Sequence, residues 1–286
     1  MNHTTAPYWL RASLLMMLCA IIGSTSAAAP SPAQLIAQME EALTPAQPQL
    51  ARVHISVTKE LTPDESLSWE ALVARQRFDD GPRTAITILE PDYATGSAML
   101  TAPRTNDKDL GLWLYTPKER RARQIAPLEP DRNLLLTDFG YADLGLAPRD
   151  LIEAELVGEE VIDGQATWKV RAAPEQDWYY SYIVTWIAQD TMLPVKREFY
   201  DRADRLWKVL SVRSLLIDSV PTVLDVTLED VQTRSTSRWQ VRAVSYDAKG
   251  LDKQDLSPDS LGQLAAQPFW KIIGVTPLKE AVSTAN

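Results

Sequence analysis

The chain has 286 residues, 45% of them hydrophobic and 23% charged, with a formal net charge of −9. That length and apolar content suit one large β domain or two small ones and exclude global disorder. The acidic balance excludes general nucleic-acid binding, which needs a basic face for phosphate.

Residues 1–29 read as a secretory signal. Arg11 supplies the positive end, residues 12–23 form an apolar run containing Leu14-Leu15-Met16-Met17-Leu18, and Ala27-Ala28-Ala29 offers small residues for cleavage near Ala29. The run is too short for a comfortable membrane span, and Pro30 and Pro32 stop any helix from continuing through the junction. The one cysteine, Cys19, lies inside the run, with the bulky Leu18 before it where a lipid-attachment signal wants a small residue. The remaining domain, 30–286, then has no disulfide and no thiol chemistry. No later stretch is apolar enough to cross a bilayer, so the expectation is a soluble, exported protein of the periplasm.

Residues 32–43 predict a helix: Leu35, Ile36, Met39 and Leu43 recur at helical spacing, and Pro45 stops it. Strands follow. Val53, Ile55 and Val57 alternate with polar neighbours, as do Leu67, Trp69, Ala71 and Val73, and then Ile86 and Ile88. The central stretch, 112–144, opens with Leu112 and Leu114 on one strand face and Trp113 and Tyr115 on the other. Apolar residues on both faces imply that both are covered. Residues 116–119 make a turn and 120–125 a basic return strand. A segment without periodicity, 126–131, then leads into Leu134-Leu135-Leu136 and the acidic-aromatic cluster 137–144, which predicts a long loop crossing the sheet.

The second half alternates more cleanly. Asp163-Gly164 is a hairpin signal leading into Trp168, Val170 and Ala172. Tyr182, Val184 and Trp186, then 195–200 and 206–217, continue the succession. Leu224, Val226 and Leu228, and Trp239, Val241 and Ala243, alternate with polar residues, giving one wet and one dry face. Residues 257–264 read as a serine-capped helix, followed by Phe269-Trp270. About a dozen strands in hairpin succession must curl or split. The expected fold is mainly β: one strongly curved antiparallel sheet with a few helices as lids over an apolar interior.

Catalytic constellations are missing. His54 stands alone once His3 leaves with the signal, so a zinc site is unsupported and no Gly-x-Ser-x-Gly turn presents a nucleophile. The pairs Glu40-Glu41, Asp79-Asp80, Glu159-Glu160 and Glu229-Asp230 diverge on a strand or helix and form no acid–base pair by themselves. Asp138-Phe139-Gly140 mimics a kinase magnesium motif without the Gly-rich and His-Arg-Asp loops a kinase needs. No enzyme activity, metal or cofactor is expected. Lys118, Arg120, Arg121 and Arg123 on one hairpin form either a solvated turn or a docking patch for an anionic partner. The tryptophans (Trp69, Trp113, Trp168, Trp178, Trp186, Trp207, Trp239 and Trp270) are mostly core, with a minority available to line a pocket.

Across 112–144 and 157–231 the chain resembles the outer membrane lipoprotein-sorting protein family, relatives of the LolA/LolB carriers. The residues that carry the resemblance are Trp113-Leu114-Tyr115-Thr116-Pro117, 121–125, Thr137-Asp138-Phe139 with Tyr141 and Asp143-Leu144, and Val161-Ile162-Asp163-Gly164. Further on they are Leu193-Pro194-Val195, Phe199-Tyr200-Asp201, Trp207-Lys208-Val209-Leu210 and 229–233 with Thr236. The resemblance is strongest over about residues 90–247. It departs at Leu136-Thr137, where the family has Gly-Ser, and at Ala203-Asp204, where it has Gly. It implies a half-open β-barrel with helical lids over a cavity for acyl chains, and no catalytic residues. The function expected is a periplasmic carrier of lipoprotein or lipid acyl chains toward the outer membrane, with an inner-membrane transporter and an outer-membrane acceptor as partners. Trp69, Trp113, Tyr115, Phe139, Trp168, Trp186, Leu224 and Trp239 are the candidate cavity residues, and Lys118, Arg120, Arg121 and Arg123 the candidate docking residues. The alternative is a regulatory sensor of related fold that binds a membrane-protein partner.

Overall fold

The computed structural model describes residues 30–44, 46–104, 110–125, 133–140, 151–174 and 179–273, with only the backbone described at Leu151 and Ile152. The expected signal, residues 126–131 and 141–144 of the central stretch, Pro45 and Trp178 lie outside the described residues. No described helix is long and apolar enough to cross a membrane.

The lead helix forms as expected: α1 spans Pro32–Leu43. Its first turn is closed reciprocally, with the Gln34 N–H donating to Ser31 Oγ at 3.3 Å and the Ser31 N–H to Gln34 Oε1 at 2.9 Å. Pro32 sits at the first helical position, where its missing N–H costs nothing. Leu35 and Met39 are the buried stripe.

Thirteen strands follow among the described residues: β1 (Gln49–Lys59), β2 (Thr62–Phe78), β3 (Gly81–Glu90), β4 (Ala98–Pro103), β5 (Leu110–Thr116), β6 (Arg121–Gln124), β7 (Leu151–Ile162), β8 (Gln165–Pro174), β9 (Tyr182–Ala188), β10 (Pro194–Tyr200), β11 (Leu206–Ile217), β12 (Val220–Asp230) and β13 (Ser235–Ser245). They form one antiparallel sheet in the order β6-β5-β4-β3-β2-β1-β13-β12-β11-β10-β9-β8-β7. Each half is a meander of sequential hairpins, and the β1–β13 ladder joins the halves. The curved sheet does not close, so the fold is a half-open barrel. Its two edges, β6 and β7, are consecutive in the chain. The Asp-Gly hairpin signal is realised: Asp163 and Gly164 both take positive φ, at 48° and 82°, as the tight turn between β7 and β8 requires.

Register explains the dry face. Residues directly opposite share a face, and Val212, Val226, Trp239, Ile55 and Trp69 form one unbroken apolar rung across β11, β12, β13, β1 and β2. Further along, Ala51, Val73, Ile86 and Met99 form another across β1 to β4. Each fully buried aliphatic side chain of this kind contributes about 1.5–3 kcal/mol. α1 lies over the same inner face at β7–β9, where Leu35 and Met39 pack with Val170 and Ile187.

Both faces of the β1–β5 half are covered, as the sequence of β5 implies. Leu112 and Leu114 belong to the inner cluster, whereas Trp113 and Tyr115 face outward with Leu50, Ala74 and Leu100. A C-terminal segment of two 3-10 helices, Pro258–Ala266 and Pro268–Ile272, covers that outer side with Leu256, Leu261, Leu264 and Phe269. This segment departs from expectation in detail. It is 3-10 rather than α, and Ser257 makes no cap; its hydroxyl donates to Ser260 Oγ at 3.2 Å instead. The approach of segment to sheet is close: a Cβ on Gly262 would lie 2.8 Å from the Tyr115 ring.

Candidate ligand-binding cavity

Between α1 and the inner face of the sheet lies a cavity of about 920 Å³, toward the upper end of small-molecule sites at about 300–1,000 Å³. Its middle is apolar, walled by Ala51, Val73, Ile86, Met99, Val226 and Trp239. Its two ends are built differently, and the strand register places each.

One end is polar. Gln49, Arg75, Thr84 and Thr101 are successive partners across β1 to β4 and form the rung just beyond Ala51, Val73, Ile86 and Met99. All four line the cavity. Arg75 Nη1 donates to the Leu43 carbonyl at 2.6 Å and Nε to Thr84 Oγ1 at 3.2 Å, while Arg77 Nη2 donates to the Thr44 carbonyl at 3.0 Å. The last carbonyls of a helix lack intrahelical partners and carry the negative end of its dipole, so these guanidiniums pin the C-terminal turn of α1 to the sheet. Burial pushes the Arg75 pKa below its ordinary value, and burial likewise raises that of Tyr246, whose hydroxyl meets Gln49 Nε2 at 3.0 Å and Thr222 Oγ1 at 2.6 Å.

The other end is stoppered by residues 133–140, the described part of the predicted crossing loop. Asn133 and Gly140 bridge, the Leu134 N–H donates to the Phe139 carbonyl at 2.7 Å, and Thr137 Oγ1 donates to the Leu134 carbonyl at 2.7 Å. The resulting compact turn buries Leu134 among the β1–β5 residues and Phe139 among Tyr180, Ile183, Phe199, Leu210 and Leu228. Asp138 anchors it: its carboxylate accepts from Ser235 Oγ and, at 2.7 Å, from Ser237 Oγ. Its N–H donates to Ser237 Oγ at 2.7 Å, and its carbonyl accepts from Lys208 Nζ at 2.7 Å. The Asp-Phe-Gly tripeptide is therefore a docking element.

Of the eight candidate cavity residues, Phe139 and Trp239 line this cavity. Trp69 faces the same side but is packed in the wall beside Ile55 and Ala71. Trp168 packs with the residues under α1. Trp113 and Tyr115 are on the outer face under the C-terminal segment. Trp186 is also on the outer side, between Lys169 and Lys196, each with Nζ 4.7 Å from its ring, and its indole N–H donates to Glu160 Oε2 at 2.8 Å. Leu224 is the extra residue of a β12 bulge between Val223 and Asp225. Lys118, Arg120, Arg121 and Arg123 are all exposed on the β5–β6 hairpin and its edge strand. Sequence reading missed Arg75 and Arg77, although Arg75 continues the Trp69-Ala71-Val73 row and stands out as a charge on a dry face.

Several charged and polar groups elsewhere are structurally occupied. His54 Nδ1 lies 2.8 Å from Glu70 Oε1, and Arg52 Nε donates to Glu70 Oε2 at 3.0 Å. Asp80 meets Arg83 and Lys253, each at 2.8 Å, and Asp230 accepts from Trp207 Nε1 at 2.9 Å. Among the described residues no group of three or more His, Cys, Asp or Glu is placed to hold a metal.

A protein-family model described as an uncharacterized protein matches residues 80–263, more than half of the chain. No curated protein matches the sequence. Among solved structures, a DUF1329 family protein from Desulfovibrio piger ATCC 29098 is similar at a TM-score of 0.71 and 24% identity, covering 80% of this chain and 97% of that one. A domain from Vibrio parahaemolyticus described as an outer membrane lipoprotein-sorting protein domain gives 0.69 and 20%, covering 80% and 95%. A LolA superfamily protein from Nitrosomonas europaea gives 0.61 and 18%, covering 81% and 99%. At these identities the likeness is one of fold, and the fold is LolA-like.

Proposed function

This chain belongs to the family whose model, described as an uncharacterized protein, spans residues 80–263, and from its LolA-like fold we propose that it is a carrier rather than an enzyme. It shelters the acyl chains of lipoproteins or lipids in the periplasm, on their way toward the outer membrane, after export by the signal at residues 1–29. The observation that carries this reading is the cavity of about 920 Å³, apolar through its middle and bounded by α1 and the 133–140 turn. The names of the solved relatives support it. Burying about ten methylenes at ~0.8 kcal/mol each gives on the order of 8 kcal/mol, close to micromolar affinity. That range suits a shuttle, tight enough to shield a chain from water and loose enough to release it.

Phe139 and Trp239 are the aromatic contacts proposed for the chain. The exposed hairpin of Lys118, Arg120, Arg121 and Arg123 is proposed to meet anionic head groups or an acidic partner at the donor or acceptor membrane. The test is native mass spectrometry of the exported protein purified from its periplasm, followed by displacement of N-phenyl-1-naphthylamine by acylated lipopeptides. A co-purifying acyl ligand and displacement near micromolar concentration are expected. Protein that carries no ligand and takes up no lipid probe would end the carrier reading.

A further inference from the structure

The carrier reading leaves open which amphiphile fits, and the polar rung bears on this. Arg75 is charged and half-buried at the cavity wall, yet both of its hydrogen-bond partners, the Leu43 carbonyl and Thr84 Oγ1, are neutral. Among the described residues it makes no ion pair. Of the other charges on the wall, Asp80 pairs with Arg83 and Lys253, Arg77 donates to the Thr44 carbonyl and Arg197 to Met39 Sδ, while Glu40 and Glu41 line the cavity from α1 without pairing with Arg75. A guanidinium partly withdrawn from water without a counter-charge carries a cost, and an anion that completes it recovers that cost. Its planar fork matches a carboxylate or phosphate in two-point contact.

The register fixes where such an anion would sit. Arg75 is flanked by Gln49 and Thr84, and one step along each strand the wall turns apolar at Ala51, Val73 and Ile86. Head and tail sites are thus adjacent rungs of one wall. We propose, resting on the carrier reading, that the ligand is an anionic amphiphile. Its carboxylate or phosphate is received by Arg75, with Gln49 and Thr84 beside it, and its acyl chain runs over the apolar rungs toward Trp239.

The test uses three probes with the same tail (dodecanoate, dodecyl phosphate and 1-dodecanol) displacing N-phenyl-1-naphthylamine from the full exported protein. At least one anion is expected to bind tenfold or more tighter than the alcohol, and the stronger of the two identifies the head-group chemistry. Arg75→Gln is expected to abolish that difference, and Arg75→Lys to keep part of it. If the alcohol binds wild-type protein as tightly as both anions, the head-group assignment fails while the carrier reading stands. If the anions keep their advantage in Arg75→Gln, Arg75 is not the receiver. If none of the three displaces the probe, the head-group assignment fails, and the carrier reading falls with it only if acylated lipopeptides fail to displace the probe as well. Where Arg75→Gln does not fold, the wild-type comparison still decides whether the head group is read, and the partial loss of the difference in Arg75→Lys tests Arg75 as the receiver.

Discussion

Replacing Asp138 with alanine tests how the 133–140 turn is held against the sheet. The side chain is buried and accepts from two hydroxyls, Ser235 Oγ and Ser237 Oγ. Hydrogen bonds to a charged group contribute about 1.5–3 kcal/mol each, so losing both without relaxation costs about 3–6 kcal/mol. The turn can relieve that cost by undocking, but it then exposes Phe139, forfeiting about 1.5–3 kcal/mol of burial. A loss of about 3 kcal/mol is therefore expected in equilibrium urea unfolding. Asp138→Asn, which keeps the shape and one good acceptor, should lose roughly half as much. Hydrogen exchange should quicken across residues 133–140 ahead of the β11–β13 core. An Asp138→Ala protein within about 0.5 kcal/mol of wild type, with exchange in the turn unchanged, would refute the account of Asp138 as the anchor.

Three further outcomes follow from the same geometry. Gly262→Ala should destabilise by about 1–3 kcal/mol in thermal unfolding, because the new Cβ meets the Tyr115 ring at 2.8 Å on a side fixed by packing. Val226→Trp, on the cavity wall, should weaken N-phenyl-1-naphthylamine binding several-fold while leaving far-UV circular dichroism unchanged; undiminished binding would place the probe elsewhere. The Tyr200 hydroxyl, pushed up to about 12 by burial and by donation to Glu198 Oε2 at 2.9 Å, should titrate late in an alkaline spectrophotometric titration. Its contribution to stability is complete below the ordinary value of 10.0 and lost as pH rises from there through about 12. Tyr200→Phe should flatten that part of the stability–pH curve, and an unaltered alkaline slope would count against the assignment.

Much of the architecture was legible because it is written in periods. The helical spacing of Leu35, Ile36, Met39 and Leu43 places α1, and the Asp163-Gly164 turn and the alternating runs around it place the second meander. The doubly apolar β5 foretells cover on both sides, although nothing local says that 3-10 turns far downstream, at Pro258–Ala266 and Pro268–Ile272, supply it. The cavity was legible only in part. Size and aromaticity do not say which face a tryptophan takes, and β9 is dry on both sides, so Trp186 could be assigned to the interior as easily as to its place between two lysines. Leu224 escapes parity altogether because a bulge interrupts the period. Arg75 shows the reverse case. Parity alone puts it in line with Val73, and only the pairing of four strands shows that its neighbours there are Gln49, Thr84 and Thr101.

The position of the sheet's two free margins has a mechanical consequence. β6 and β7 are neighbours in sequence yet share no ladder in the sheet order, which leaves a seam between them. A sealed cylinder has its bore set by strand number and stagger, whereas a split one can widen or tighten by changing its coil without giving up a main-chain bond. The margins also carry opposite signs: Arg121 and Arg123 on one, Glu153, Glu155 and Glu159 on the other. Two copies meeting acid to acid or base to base would repel, which keeps so large an open sheet from stacking with its own kind along matching borders.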